Sequence, residues 1–348
     1  MFSFEKGSPL FYLVDKNGKK QETIFYSKEP RGGKALISVE DPCDILTDDD
    51  FKLCKRKHRF SEYDIVELRR LMQKSGGNLE HANNGAQARA MRDLNAIVDD
   101  RLKKSLIFDD NDYRGWYLVP AVPGAFTVIS IVGPSGSGKS TIAADIIWHN
   151  MRKGKPMEEE EIEDKMSKMG KKKGERWLKR LKKDTGKVFL ISRQVGGALD
   201  PALQKLEKYI EVVDVFDLEN MPTLEDFTNS WVLVDDIEGL PKQIRDSVQD
   251  VIDGLVTCGR KLGIKVIYST HNFAGWSFRH MKNESKLHIV FPKVSKHKIH
   301  DWLRLGQKWP TADINRFFKE AGQDSSHRAF FGLSHPSYYG TDSRIQLL

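Results

Sequence analysis

A glycine-rich octapeptide carries the clearest chemistry in this sequence. Residues 133–140 read Gly-Pro-Ser-Gly-Ser-Gly-Lys-Ser and match the P-loop pattern, in which four residues separate a first glycine from Gly-Lys-Ser. Glycines let successive backbone N–H groups turn toward an anion, while Lys139 can reach the β- and γ-phosphates and the Ser140 hydroxyl can bind Mg²⁺. The predicted nucleotide-binding residues are Gly133, Pro134, Ser135, Gly136, Ser137, Gly138, Lys139, Ser140 and Thr141. The motif predicts that ATP and Mg²⁺ are the cofactors.

The segments on either side of the octapeptide have the patterns that a P-loop requires. Residues 126–132 form a β-branched run that predicts a buried strand, and residues 141–148 predict a helix with one apolar face. The amino terminus of such a helix directs unpaired N–H groups and the positive end of its dipole at the bound phosphate. The predicted flanking strand and helix therefore support the assignment of residues 133–140 as a P-loop.

A second candidate site follows the apolar run at residues 231–234. A buried strand here would deliver Asp235 to the carboxyl edge of the sheet, where we expect it to hold Mg²⁺ together with Ser140. Asp236 is the predicted catalytic base that orients and deprotonates water. Its side chain is one methylene shorter than the glutamate usual at this position, so Glu238 remains the alternative base.

A third candidate region spans a long predicted helix over residues 241–263 and a strand over 264–269. The strand leads into Thr270, His271 and Asn272, and His271 could contact the γ-phosphate or the attacking water. Alternatively, these residues are only a polar strand exit. Arg260, near the end of the helix, is either a solvated surface arginine or, in a ring, an arginine finger for the neighbouring subunit.

Strands predicted at 188–192, 210–215, 264–269 and 287–291 alternate with helices, which indicates α/β architecture. We expect a P-loop NTPase fold with a mainly parallel sheet covered by helices on both faces. This domain should span residues 121–348, with a charged insertion at about 152–187. The lysines at 171–173 and Trp177 make that insertion either a solvated surface or a basic arm for a phosphate backbone.

Residues 1–120 predict a smaller α+β adaptor or interaction region. The pair Asn17-Gly18 lies between two β-rich runs and predicts a hairpin. A helix should begin with Ser61 as its N-cap and Asp64 at the capping-box position, and a second should run from about Ala86 to Leu106.

The composition indicates which class of partner and which cellular compartment to expect. Lysine and arginine exceed aspartate and glutamate by 56 − 49 = 7 among 348 residues, which mildly favours a polyanionic partner such as nucleic acid. No apolar run is long enough for membrane insertion, and the amino terminus lacks a secretory signal, so we expect the protein not to be secreted. Cys43, Cys54 and Cys258 are scattered, which argues against a disulfide framework or a zinc site.

Three features together resemble the FtsK–HerA superfamily of ring-forming DNA motors, in particular the genome-packaging ATPases of large double-stranded DNA viruses of the poxvirus-like group. They are the P-loop, the Asp235-Asp236 pair, and the Gly-Arg-x-x-Gly-Ile run at residues 259–264. The likeness covers residues 126–348. Two departures are Asp236, where many members have glutamate, and His271-Asn272, where the cellular pumps place a glutamine.

The resemblance implies a DNA-translocating ATPase with double-stranded DNA, a homo-oligomeric ring and a capsid or portal component as partners. It implies a location in the host cytoplasm or at the viral assembly site, with association with the virion as a further option. It also implies an arginine finger, for which Arg260 is the first candidate and Arg279 the reserve.

Two other functions stay open. The octapeptide also resembles that of guanylate-type kinases, although these lack an acidic strand such as residues 232–236 followed by another strand. A nucleotide-dependent assembly scaffold without sustained turnover is the other alternative. A transporter-type ATPase is disfavoured because no Leu-Ser-Gly-Gly-Gln signature lies between the P-loop and Asp235.

Overall fold

The structure is a computed structural model. It describes residues 2–3, 8–26, 46–75, 77–107, 117–122, 127–151, 168, 186–193, 199–273, 281, 283–291, 296–323, 328–333, 337–341 and 344–347. The charged insertion, with the lysines at 171–173 and Trp177, lies outside these residues apart from positions 168, 186 and 187, and so does Arg279.

Fourteen strands and seven α-helices are named here from the described residues. The strands are β1 Phe2–Ser3, β2 Ser8–Val14, β3 Lys20–Tyr26, β4 Ser105–Ile107, β5 Tyr117–Pro120, β6 Thr127–Val132, β7 Val188–Ser192, β8 Ile210–Val213, β9 Trp231–Asp235, β10 Lys265–Thr270, β11 Leu287–Val290, β12 Ala329–Gly332, β13 Tyr338–Gly340 and β14 Arg344–Leu347. The helices are α1 Asp48–His58, α2 Glu62–Ser75, α3 Gly85–Lys104, α4 Lys139–Asn150, α5 Lys242–Leu262, α6 Lys296–Asp301 and α7 Thr311–Gln323. Short 3₁₀ segments include Pro201–Tyr209 and Ile237–Gly239, and a π-helical turn at Trp302–Gly306 follows α6.

One large sheet organises the part of the chain that begins at residue 127. Its described strands run in the order β4-β14-β13-β12-β11-β6-β10-β9-β7-β8, and those from β11 to β8 are parallel. Strands β12, β13, β14 and β4 extend it in antiparallel fashion. The expected mainly parallel α/β sheet is confirmed.

Helices cover both faces of this sheet, and the side chains of β6 show why. Val128 and Val132 lie in the core that also contains buried residues of α5 and α7. Ile129 and Ile131 point to the opposite face, into the core that contains the apolar side of α4. Because successive strand residues alternate between faces, an almost wholly apolar strand such as β6 requires a cover on each side.

A second, four-stranded sheet has the order β1-β3-β2-β5, and it contains the predicted hairpin. Residues of β2 and β5 share the α4-side core, whereas β4 pairs with β14 in the large sheet. The domain boundary at about residue 120 stays a prediction, and strands from before it contribute to both sheets.

The amino-terminal helices pack around a core of their own, which includes Phe51, Leu68, Met91 and Leu94. The predicted helix start at Ser61 is confirmed, because its hydroxyl donates to the Asp64 carboxylate and accepts from the Asp64 N–H. The predicted end at Leu106 is wrong: α3 ends at Lys104, and Leu106 lies in β4, where pairing with β14 replaces the last helical turn. Helix α1 was not anticipated. Among the described residues, no helix is long and apolar enough to cross a membrane.

Candidate nucleotide-binding site

The P-loop leaves β6 at the carboxyl edge of the large sheet and enters α4. Gly136 and Gly138 have left-handed φ angles of 71° and 94°, which residues with a Cβ rarely adopt. A Cβ on Gly133 would lie 2.5 Å from Ser137 Oγ and 2.6 Å from Phe291 Cδ2. Three of the predicted glycines are therefore required by the local geometry, two by conformation and one by close packing.

Lys139 is 8% exposed and its ammonium group lies within the loop. Its Nζ donates to the carbonyl oxygens of Gly133 and Pro134, each at 3.0 Å. Burial lowers the pKa of Lys139, and the carboxylates of Asp235, Asp236 and Glu238 oppose that shift. The bonds to loop carbonyls hold the cation at the place where phosphates would bind.

Asp235 ends β9, between Ser192 of β7 and Ser269 of β10 in the strand register. Burial raises the pKa of its carboxyl, while the neighbouring Ser269 hydroxyl and the charge of Lys139 act in the opposite direction. A partly buried carboxylate of this kind gains from a cation that compensates its desolvation.

The side chains that line this cavity have the chemistry to hold Mg²⁺. Ser140 and Asp235 line the same cavity and offer the oxygen ligands that Mg²⁺ prefers. No group of three or more metal-ligating side chains occurs within the described ranges. An ion here would complete its coordination with phosphate and water, as Mg²⁺ in nucleotide sites does.

Asp236 follows β9 in a left-handed conformation with φ 52° and ψ 45°, which is unusual for a residue with a side chain. It lines the cavity, and its Oδ1 lies 3.4 Å from His271 Nε2. His271 Nδ1 in turn lies 3.4 Å from Lys139 Nζ. A chain of polar groups thus connects the candidate base, the residue after β10 and the P-loop lysine.

Glu238 has a different environment. The Thr270 hydroxyl donates to its Oε1, and its Oε2 is buried without a hydrogen-bond partner in the described part of the chain. Glu238 does not line the cavity, whereas Asp236 does. The geometry therefore favours Asp236 over Glu238 as the group that can reach a water molecule.

The cavity has a volume of about 550 Å³ and contains residues that the sequence did not suggest. The most notable is Asp200, which also contributes to the raised pKa of Asp235. Its carboxylate accepts from the N–H of Ala202 at the start of the 3₁₀ segment Pro201–Tyr209. An aspartate before a proline is a helix-start signal, but it gives no hint that this start lies in the nucleotide cavity.

Arg260 is not brought to this site in its own subunit. It is exposed in the last turn of α5, which ends at Gly263 just before β10 begins. The P-loop lies at the opposite end of β10, because Gly133 N–H donates to Thr270 O at the strand's last residue. A role for Arg260 in catalysis would have to be in a neighbouring subunit.

Strand order and loop position decide the fold class. The P-loop strand β6 lies between β11 and β10, and the acidic strand β9 lies on the far side of β10. The fold is that of a P-loop NTPase.

Comparisons with known proteins find partial similarities. No protein-family model matches the chain. Uncharacterized protein V3 of Sputnik virophage is 28% identical over 181 residues, which are 51% of this chain and 60% of that protein. The chain thus spans less than two thirds of this relative.

Two solved structures have a similar fold. The cytoplasmic domain of the type VII secretion ATPase EccC of Thermomonospora curvata has a TM-score of 0.38 and 12% identity, over 70% of this chain and 29% of that one. The genome-packaging NTPase B204 of Sulfolobus turreted icosahedral virus 2, solved with sulfate, has a TM-score of 0.35 and 14% identity, over 64% of this chain and 96% of that one. Both likenesses concern the fold alone.

Proposed function

We propose that this protein is an ATPase that translocates double-stranded DNA and packages a viral genome into its capsid. The observation that carries the proposal is the convergence of Lys139, Asp235, Asp236 and His271 on one cavity at the carboxyl edge of the sheet. A phosphate-binding cation, a metal-binding carboxylate and a second carboxylate for water are the parts that ATP hydrolysis needs.

Each residue has a role in this proposal. The P-loop N–H groups and Lys139 bind the phosphates, and Ser140 and Asp235 would hold Mg²⁺, which neutralises charge on the phosphate oxygens when bound. Asp236 orients a water molecule and accepts its proton. His271, in contact distance of both Asp236 and Lys139, positions the carboxylate and senses whether the γ-phosphate is present.

DNA is the proposed track because the Gly-Arg-x-x-Gly-Ile run at residues 259–264 resembles the segment of pumping ATPases, and the net charge of +7 suits a polyanion. The similarity to a virophage protein supports a viral genome as that DNA. A homo-oligomeric ring and a capsid or portal component are the further partners proposed. The host cytoplasm or viral assembly site is the proposed location.

An ATP hydrolysis assay separates this proposal from its alternatives. Turnover that increases with long duplex DNA supports the motor, and turnover that requires a nucleoside monophosphate would identify a kinase. Absence of turnover would identify a scaffold. Lys139→Ala is the control, because it removes the P-loop cation and should abolish binding or turnover.

A subunit-mixing assay tests the ring and the finger. Arg260→Ala and Lys139→Ala proteins should each be inactive, and mixing them should restore activity, since an intact P-loop then meets an intact arginine across some interfaces. If assembled Arg260→Ala hydrolyses ATP at the wild-type rate, Arg260 is not the finger, and Arg279 becomes the candidate.

A further inference from the structure

The turn between α1 and α2 concentrates positive charge. Residues 51–61 contain Lys52, Lys55, Arg56, Lys57 and Arg59 and no aspartate or glutamate. Of these, all but the partly buried Lys55 are exposed. Such a concentration of cations at one place on the surface favours the binding of an anion with closely spaced charges.

These cations lie on two helices joined by a short, hydrogen-bonded turn. Helix α1 ends at His58, and Arg59 closes it in a left-handed conformation with its N–H bonded to Lys55 O. Phe60 N–H donates to the same carbonyl at 3.0 Å, and Ser61 caps α2. The connection is therefore three residues long, a length typical of helix–turn–helix units.

A groove of about 730 Å³ separates α1 from α2. Its apolar lining comes from Phe51, Phe60 and Ile65. Its positively charged lining comes from Lys52, Lys55, Arg56, Arg59 and Arg69. Two carboxylates also line it, Glu62 paired with Lys55 and Asp48 paired with Arg69. Since Lys52, Arg56 and Arg59 recur at spacings of four and three, they lie close to one another along the groove.

Lys55, Arg69 and Lys57 are held in ion pairs with Glu62, Asp48 and Asp93, which leaves Lys52, Arg56 and Arg59 as the cations available to a ligand. Lys52 pairs with Asp49 at 3.0 Å, but both side chains are about two-thirds exposed, at 66% and 64%. Exposed pairs of this kind are weak and exchange readily for a more highly charged anion. Arg56 and Arg59 have no acidic partner in the part of the chain that the structure describes.

Apolar side chains are exposed beside the same cations. Tyr63 is 77% exposed and Val66 is 65% exposed, and they lie three residues apart on one face of α2. On α1, Leu53 is 57% exposed. These residues can pack against deoxyribose, and the Tyr63 hydroxyl can donate to a phosphate. A protein partner is the competing explanation for them.

We propose that this helix–turn–helix unit binds the backbone of duplex DNA, with Lys52, Arg56 and Arg59 donating to phosphate oxygens. The inference rests on the proposed translocase function for the presence of DNA. Duplex DNA is favoured over a protein partner because it presents closely spaced negative charges, about one every 1.7 Å along its axis, to the exposed cations clustered at this turn. Backbone contact makes the binding independent of base sequence.

The test is a salt series of duplex binding by the full-length protein. Labelled random-sequence DNA is titrated with wild type, Arg56→Gln/Arg59→Gln and a matched control, Arg89→Gln/Arg92→Gln, which removes two exposed arginines of α3 outside the groove. Loss of two phosphate contacts should reduce the slope of log K against log salt by about 1.8. At about 0.1 M salt this corresponds to a loss of affinity of about 60-fold.

The control should keep the wild-type slope, and melting temperatures should show that all three proteins fold. If the double variant does not fold, Arg56→Gln alone should reduce the slope by about 0.9. Wild-type slope and affinity in a folded Arg56→Gln/Arg59→Gln protein would overturn the inference, assign the surface to a protein partner and leave the translocase proposal intact. Failure of wild type to bind duplex, with ATP turnover unchanged by DNA, would overturn both.

Discussion

Replacing Asp236 and Glu238 separately by their amides tests the assignment of the catalytic base. Asp236 lines the nucleotide cavity, and its Oδ1 lies 3.4 Å from His271 Nε2. Glu238 instead accepts a hydrogen bond from the Thr270 hydroxyl and lies outside the cavity lining. The two carboxylates are two positions apart in sequence, yet only one faces the space where ATP and water would bind.

The expected size of the effect follows from these environments. An amide cannot accept the proton of water, and a positioned general base contributes about 10²–10⁴-fold in rate, or roughly 3–5 kcal/mol. Asp236→Asn should therefore lower kcat by this factor and leave ATP affinity within about threefold, because the phosphates are bound by the P-loop. Glu238→Gln keeps an oxygen that can accept from Thr270, so its kcat should remain within about threefold of wild type.

Phosphate release gives kcat, and titration of a fluorescent ATP analogue gives Kd. Melting temperatures of both variants control for folding. The reasoning is refuted if Asp236→Asn turns over normally while Glu238→Gln is inactive, since the base would then be Glu238.

Three further predictions concern particular residues. Gly332→Ala should destabilise the protein by about 1–3 kcal/mol and lower its melting temperature, because a Cβ would lie 2.2 Å from Cε1 of the buried Tyr338 ring. The control is Gly85→Ala, where a Cβ would meet nothing within 4 Å, and this variant should not lower the melting temperature. Because burial raises the pKa of Asp235, a proton competes with Mg²⁺ at a higher pH than for an ordinary aspartate. Isothermal titration should show Mg²⁺-dependent ATP affinity falling as pH is lowered toward 5, and Asp235→Asn should reduce this dependence to the part that comes from protonation of the terminal phosphate of ATP. The buried Cys54 thiol, with its pKa raised to about 11, should resist a thiol reagent at pH 8, as mapped by mass spectrometry.

Features set by neighbouring residues were predictable from the sequence. The P-loop needs only a strand, a glycine turn and a helix in succession, so the position of Lys139 and the strand leading to Asp235 could be inferred. The structure has β6 at Thr127–Val132 and β9 at Trp231–Asp235, as the apolar runs indicated.

Features set by contacts between residues far apart in the sequence were not predictable from it. Asp200 enters the cavity because β7 lies next to β9, and Glu238 turns away because Thr270 of β10 donates to it. Leu106 leaves the predicted helix because β14, at the other end of the chain, pairs with it. Helix α1 was missed because its apolar residues are few, although the Thr47–Asp50 capping box was a local signal for its start.

Displacement of a third strand from a triplex on duplex DNA tests translocation most directly. The labelled third strand is bound at a distance from the free end, so its release requires movement along the duplex. The account predicts release by wild-type protein with ATP, and none with a non-hydrolysable analogue or with Lys139→Ala. Retention of the third strand while wild-type protein hydrolyses ATP on the same duplex would contradict the account, because hydrolysis would then occur without movement.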